Sequence, residues 1–278
     1  MMNRYTNTRW IFAALALATM PFSGKAQEQE PDQTELSDTD KQQLQHALHR
    51  GQALYNYDRA AWLATDAMLE AIKDPAGEGL RGWIVEEEET SWRVTFYKGE
   101  GGGYAGVFEG IFDGQKLTSS GRVPSDRAPF DAKQTALVKA RDAVKDVELQ
   151  RCSSQPFNLV IMPTGKADGG LFVYYLVPQS KADAVHLGGH YRFEVRDGEQ
   201  VDMRKFTNSC IELGGAEVEE ETKPAALMIS HILDRVPTEI HVFSTFALRT
   251  PIYVSTTQNK GLWAAEVSDG QARLRRVK

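Results

Sequence analysis

Two histidines and two carboxylates near the end of the chain are the residues best suited to catalysis. They are His231, Asp234, Glu239 and His241. Neutral imidazoles bind metal ions, and carboxylates are common co-ligands. An imidazole that a carboxylate orients can also serve as a general base. One hypothesis is therefore a hydrolase or metal-dependent enzyme that uses these four side chains.

Two apolar segments, 226–233 and 239–246, would have to bring the four residues together. If both are strands joined by the loop 234–238, they form an antiparallel hairpin in which His231 faces His241. The Cβ atoms of such partners are about 5 Å apart, so the imidazoles would lie side by side. Periodicity alone does not separate a strand from a short buried helix in so short a run, and a helix would remove the pairing.

A structural role for these histidines is the competing interpretation. His231 shares its predicted strand face with Leu227, Ile229 and Leu233. Histidines are often partly or fully buried, so this apolar face favours a core histidine with a hydrogen-bond partner. The same sequence thus supports either a site or a packing role.

His186 and His190 form a second pair, with a spacing known from metal sites. Four residues apart, the two imidazoles would share one face of a helix. Gly188 and Gly189 lie between them and oppose a helix. The sequence therefore predicts a turn that leads into the following strand.

The clearest local structure runs from Gly188 to Cys210 and is predicted to be a β-hairpin. A two-residue turn at 197–198 would place apolar residues opposite charged ones. A three-residue loop, 196–198, with Gly198 in the left-handed conformation of a bulge, keeps one face apolar. The predicted register pairs Phe193 with Val201, Tyr191 with Met203 and Arg192 with Asp202.

The chain has two cysteines, Cys152 and Cys210. An even number of cysteines in an exported protein indicates a disulfide. Closing so long a loop would stabilise the fold by roughly 4 kcal/mol through loop entropy alone. Neither cysteine belongs to a C-x-x-C motif, which argues against a thiolate metal site.

Residues 1–26 have the composition of a signal peptide. Arg4 and Arg9 precede an apolar run over 10–20, and Gly24-Lys25-Ala26 resembles a processing site. The run is far shorter than the ~20 residues that span a bilayer, so a membrane span is not expected. We therefore expect a periplasmic or secreted protein that is cleaved near Ala26.

The composition is ordinary for a globular protein and acidic overall. Charged residues make up 25% of the chain and hydrophobic residues 41%. Cleavage would remove the basic residues Arg4, Arg9 and Lys25, which changes the formal charge from −6 to −9. Nucleic acids and anionic membranes bind basic patches, so neither is an expected partner. We expect instead a protein or small-molecule ligand in the cell envelope.

The predicted fold class is α+β, with a largely antiparallel sheet of short strands and hairpins. Residues 27–36 are predicted to be a disordered polar lead, and 37–278 a single domain. Ser37 and Asp58 are the predicted caps of an N-terminal helical pair, which spans 37–75 and could be a subdomain.

The rest of the domain is predicted to alternate one helix with short strands. Asp131 caps the mid-chain helix, and Gln134 completes a capping box. The segment 101–106 matches the dinucleotide fingerprint G-x-G-x-x-G, but a strand follows it where that chemistry needs a helix. A hairpin connection and no cofactor are therefore expected. Strands are predicted at 83–88, 92–97, 107–112, 157–162, 171–177, 252–256, 262–267 and 272–277.

Two classes of function remain open. The preferred one is a non-catalytic binding protein that uses a sheet face or a strand edge. Separately, Tyr55, Tyr57 and Trp62 could line a ligand groove, although aromatic residues at helical spacing usually pack in the core. The alternative is the histidine-centred enzyme. An active site needs its polar groups in one solvent-reaching concavity, whereas a binding module exposes an apolar or aromatic patch.

Overall fold

A computed structural model describes residues 36–179, 181, 184–214 and 224–277. These residues form three helices and fourteen strands in a mixed α+β fold. Three sheets have four strands and one has two, and nearly all strand pairs are antiparallel. The predicted signal peptide and all but the last residue of the predicted lead lie outside the described residues. Within the described part, no helix is both long and apolar enough to cross a membrane.

Helix α1, Asp38–Ala71, is a single helix where the sequence predicted a pair. It begins at Ser37, whose Oγ accepts the Asp40 backbone N–H at 3.1 Å while the Asp40 carboxylate accepts the Ser37 N–H at 3.0 Å. Asp58 is therefore an interior helical residue, and its carboxylate accepts a hydrogen bond from Asn158 at 3.1 Å. Because this bond comes from another element, Asp58 does not need to cap its own helix. The predicted break was wrong for this reason.

The first sheet is antiparallel, in the order β1-β2-β3-β4. Its strands are β1 (Leu80–Glu87), β2 (Trp92–Lys98), β3 (Ala105–Phe112) and β4 (Leu117–Arg122). The glycines at 101–103 connect β2 to β3 as a hairpin, as the sequence predicted. Strand β4 is not among the strands predicted from the sequence. It is a polar, mostly exposed edge strand that lacks the apolar alternation of its neighbours.

Helix α2, Ala132–Asp142, packs between the first sheet and the second, and the predicted capping box of Asp131 and Gln134 is present. The second sheet is antiparallel, in the order β5-β6-β8-β9. Its strands are β5 (Asn158–Pro163), β6 (Leu171–Leu176), β8 (Tyr191–Arg196) and β9 (Glu199–Lys205). The short strands β7 (Ala184–His186) and β10 (Glu212–Gly214) pair with each other. Cys152 and Cys210 form the predicted disulfide, with their Cα atoms 5.4 Å apart.

The predicted hairpin exists as β8 and β9, but its register differs from the prediction. Asp197 and Gly198, with φ of 51° and 79°, form a two-residue turn. A bulge between Glu194 and Val195 then shifts the pairing by one residue. The observed register pairs Phe193 with Met203, Tyr191 with Lys205 and Arg192 with Arg204. Strand β9 is an exposed edge, so its apolar residues are not required to share the buried face of β8.

The third sheet contains the only parallel pair among the described strands. It has the order β11-β12-β13-β14, and β11 is parallel to β12. Its elements are β11 (Leu227–His231), α3 (Glu239–Leu248), β12 (Ile252–Thr256), β13 (Gly261–Ser268) and β14 (Gln271–Arg276). The segment 239–246, predicted to be a strand, is thus part of helix α3. Parallel neighbours need a crossover connection, and α3 provides it.

Helix α1 connects the parts of the core. Its apolar face packs against the first sheet, and it also contacts β5, β14 and α3. It crosses α3 at Gly51, where an added Cβ would lie 2.5 Å from Cβ of Val242. Only a glycine permits so close a helix crossing. This crossing sets the position of α3 relative to α1, and therefore of every residue that α3 contributes to the sites below.

Candidate functional site

Asp234 joins two of the predicted site elements. The Nε2 atom of His231, the last residue of β11, lies 2.8 Å from Asp234 Oδ2. Arg204, on β9, donates from Nη2 to both carboxylate oxygens of Asp234, at 2.9 and 2.8 Å. Burial acts to raise the pKa of Asp234, but the hydrogen bond from His231 and the charge of Arg204 outweigh it and lower that pKa. Asp234 is therefore an ionised carboxylate held by two donors.

His241 lies in the first turn of α3, beside His231. The two ring centroids are 4.8 Å apart and the ring planes meet at 83°. The Nδ1 atom of His241 accepts the backbone N–H of Thr238 at 3.0 Å, which places the ring proton on Nε2. Burial, aided by the neighbouring His231, lowers the pKa of His241 to about 3. The ring is thus neutral at physiological pH.

Glu239 does not join the two imidazoles. Its Oε1 accepts hydrogen bonds from Arg192 Nη1 at 2.5 Å and from the Tyr174 hydroxyl at 3.2 Å. The Arg192 guanidinium also lies over the ring of Phe172, 4.5 Å from its centroid. Glu239 is therefore committed to a buried ion pair with the second sheet. The structure brings together His231, Asp234 and His241 and separates Glu239 from them.

The histidine cluster is enclosed by protein. His231 and His241 are each 3% exposed. A small cavity of about 40 Å³ reaches Asp234 and Glu239, and neither imidazole lines it. Over residues 36–179, 181, 184–214 and 224–277, no three His, Cys, Asp or Glu side chains are arranged to hold a metal ion. The arrangement serves packing and hydrogen bonding better than metal or substrate binding.

His190 has a structural role as well. Its Nδ1 accepts the backbone N–H of Val177 at 3.1 Å, and its Nε2 donates to the His186 carbonyl at 2.6 Å. Burial lowers the pKa of His190 to about 4. The ring ties the end of β6 to β7, and its two nitrogens are fully used. His186 and His190 are therefore not a pair of metal ligands.

A large groove of about 770 Å³ lies elsewhere, between α1, the C-terminal end of α3 and the region around β7. Its apolar wall includes Tyr55, Val185, Phe243 and Leu248. The indole of Trp62 stands at the groove with 54% of its surface exposed. A volume of this size falls within the roughly 300–1,000 Å³ of small-molecule sites.

Three polar residues of the groove lie among these apolar walls. Asn158 donates to Oδ1 of Asp58, and burial raises the pKa of Asp58 to about 6. The Nδ1 atom of His186 is buried and has no hydrogen-bond partner among the described residues. A buried polar atom without a partner carries a desolvation cost, so this nitrogen is a local weak point of the fold beside the groove.

Comparison with known proteins gave no match. This holds for family models, for curated proteins and for solved structures. The geometry of this chain is therefore the basis on which a function is assigned.

The sequence predicted only part of the lining of the groove. Tyr55 and Trp62 line it as the open alternative allowed, whereas Tyr57 is buried in the core. The signal for the rest was present, because Tyr55, Asp58, Arg59 and Trp62 follow the i, i+3, i+4, i+7 pattern of one helix face. The predicted helix break at Asp58 concealed this pattern. Arg192 and Arg204, the partners of Glu239 and Asp234, had no local signal because they come from distant strands.

Proposed function

We propose that this protein is an exported, non-catalytic binding module of the cell envelope, and that its ligand occupies the groove beside Trp62. The observation that carries the proposal is the groove, with an exposed indole and an apolar wall in a cavity of about 770 Å³. The disulfide is compatible with an oxidising compartment, as the predicted signal peptide requires. The contrast with the enclosed histidine cluster favours binding over catalysis.

The walls of the groove come from elements that the fold holds firmly. Tyr55 stacks on Phe246 of α3 with ring centroids 4.9 Å apart. Asn158 fixes the carboxylate of Asp58 on the other side. A groove between packed elements is formed before the ligand arrives, which lowers the entropic cost of binding.

A dye titration with a groove-filling variant tests the proposal. Phenylnaphthylamine, a neutral apolar dye, is titrated into the wild type and into Ala247→Trp, since Ala247 lines the groove on α3. The matched control is Ala132→Trp, because Ala132 is exposed at the start of α2. We expect saturable dye binding to the wild type and to the control, and at least about tenfold weaker binding to Ala247→Trp. Equal binding to all three proteins, or none, would contradict the proposal.

A histidine-centred hydrolase is the second candidate. The observation in its favour is the 2.8 Å contact between His231 and Asp234, the arrangement of an oriented base. Nitrophenyl acetate and nitrophenyl phosphate are assayed with the wild type and with His231→Gln. Turnover that this variant loses would favour the enzyme, whereas rates equal to buffer would favour the binding module.

A further inference from the structure

The groove carries the opposite charge to the rest of the protein. The chain has a formal charge of −6, yet Arg59, Lys181 and Arg249 all line the groove. Asp58 is the only carboxylate among the described lining residues. A cationic cleft in an acidic protein attracts anions and repels cations.

These three cations are not consumed by internal ion pairs. In the part of the chain that the structure describes, no salt bridge joins Arg59, Lys181 or Arg249 to a carboxylate within 4 Å. The charge of Arg59 does act on Asp58, where it opposes the larger effect of burial on that pKa. Several arginines outside the groove are paired, as Arg192 is with Glu239 and Arg204 with Asp234. Cations left unpaired at a groove remain available to a ligand.

A cationic and an apolar side chain of the groove, Arg59 and Trp62, are in contact. The Arg59 guanidinium lies 4.3 Å from the centroid of the Trp62 ring. Arginine stacked on an aromatic ring keeps its in-plane N–H donors free for an acid group. The exposed indole beside it offers surface to an apolar chain. A cation next to an exposed aromatic ring is suited to a molecule with an anionic head and an apolar body.

We infer that the ligand of the groove is a small anionic amphiphile, with its acid head group at the arginines and its apolar body along Tyr55, Phe243 and Leu248. This inference rests on the proposed function, because it names the ligand class of the same groove. Fatty acid anions have this chemistry.

Three probes of equal chain length separate charge from apolar contact. Decanoate, decanol and the decyltrimethylammonium ion are titrated below their aggregation limits into the full mature chain by calorimetry. We expect decanoate to bind about tenfold more tightly than the other two, because only its charge matches the groove. Added salt is expected to lower the affinity for decanoate and to leave the affinity for decanol unchanged.

Charge variants locate the head group. Arg59→Gln and Arg249→Gln are each expected to lower the affinity for decanoate about five- to tenfold. The affinity of each variant for decanol should stay within about twofold of wild type. Asp58→Asn is expected to raise the affinity for decanoate, because it removes the only carboxylate among the described lining residues of the groove. The control is Arg81→Gln, because Arg81 is exposed on β1 and does not line the groove.

The outcomes distinguish the two proposals. Equal affinity for all three probes, or a preference for the cation, would overturn the anionic ligand and leave the groove as a binding site. No binding of any probe, together with no dye binding, would overturn the proposed function itself. Arg81→Gln could also lower the affinity for decanoate as much as Arg59→Gln does. That result would assign the effect to overall charge and would overturn the inference.

Discussion

The imidazole of His231, at the end of β11, lies edge-on to the imidazole of His241 in the first turn of α3, with ring centroids 4.8 Å apart. Asp234 holds the first ring and the backbone N–H of Thr238 holds the second. Both rings therefore fix the loop 234–238 between strand and helix. This contact fixes the start of the crossover connection, through α3, between the parallel strands β11 and β12.

Removing the Asp234 carboxylate is expected to destabilise the protein. In Asp234→Ala, His231 loses its partner and Arg204 loses both of its hydrogen bonds to a carboxylate. Arg204 already has a buried Nε without a partner, so the loss removes the carboxylate bonds of a guanidinium that is incompletely paired. We expect the free energy of unfolding to fall by about 2 kcal/mol in urea denaturation at neutral pH. The control is Asp126→Ala, at an exposed position, whose free energy of unfolding should stay within about 0.5 kcal/mol of wild type. Equal losses in the two variants would contradict a specific role for Asp234.

The histidine contact could be predicted from the sequence although its secondary structure could not. The hairpin hypothesis paired His231 with His241 across two strands, and the structure pairs them across a strand and a helix. Segment 239–246 is buried on all sides, so it has no polar face from which a helical period could be recognised. Its β-branched and aromatic residues suggested a strand. The decisive fact, that β12 lies parallel to β11, is a long-range property that no local pattern contains.

Buried neutral histidines should make the protein less stable in acid. The folded pKa of His190 is about 4, below its ordinary value of 6.5, so the unfolded chain takes up the proton first. The stability that His190 contributes is therefore complete above pH ~6.5 and is lost as the pH falls towards 4. The loss from this residue could reach about 3 kcal/mol.

The variant His190→Gln isolates this effect from other titrating groups. At pH 7 it should be less stable than wild type by about 1–2 kcal/mol, because the bonds to Val177 and His186 are weakened. The difference should shrink as the pH falls from 7 to 4, since the variant has no imidazole to protonate. A difference that is constant with pH would contradict the assignment of a neutral buried ring.

Asp58 should show the opposite dependence on pH. Its folded pKa of about 6 lies above the ordinary 3.8, so the folded protein binds this proton more tightly than the unfolded chain does. The ionised carboxylate thus destabilises the fold above pH ~6, and the penalty disappears as the pH falls towards 4. Because Asp58 is partly accessible, we expect Asp58→Asn to be more stable than wild type by only about 1 kcal/mol at pH 8. Thermal or urea unfolding at pH 8 and pH 4 measures this difference, and a larger gain at pH 4 would refute the prediction.

At Asp58, a local capping signal indicated a helix boundary that the fold does not have. Aspartate is a strong helix-capping residue, so Asp58 was expected to begin a second helix. In the fold its carboxylate accepts a bond from Asn158, which is remote in sequence. The disulfide, the capping box of α2 and the antiparallel hairpins were predictable because their signals are local or compositional. Partners such as Asn158 for Asp58 are set by packing, and packing decides which aromatic residues line a groove.

The turn between β8 and β9 is sensitive to substitution because of its backbone conformation. Both turn residues have positive φ, 51° at Asp197 and 79° at Gly198. The three-residue loop expected from the sequence would need the left-handed conformation only at Gly198. Valine disfavours positive φ, so Gly198→Val should cost about 1–2 kcal/mol of unfolding free energy through the backbone alone, because no atom lies within 4 Å of the added Cβ.

The two loop geometries differ in what they predict for Asp197. In the observed two-residue turn, Asp197→Val should cost a similar amount, whereas Asp197→Gly should be neutral or slightly stabilising. The control is Gly121→Val on β4, where φ is ordinary and an added Cβ also meets no atom within 4 Å. Urea denaturation of the four variants measures each cost. If Gly198→Val is costly and Asp197→Val is not, the three-residue loop would be the correct geometry, because only that loop leaves Asp197 in an ordinary backbone conformation.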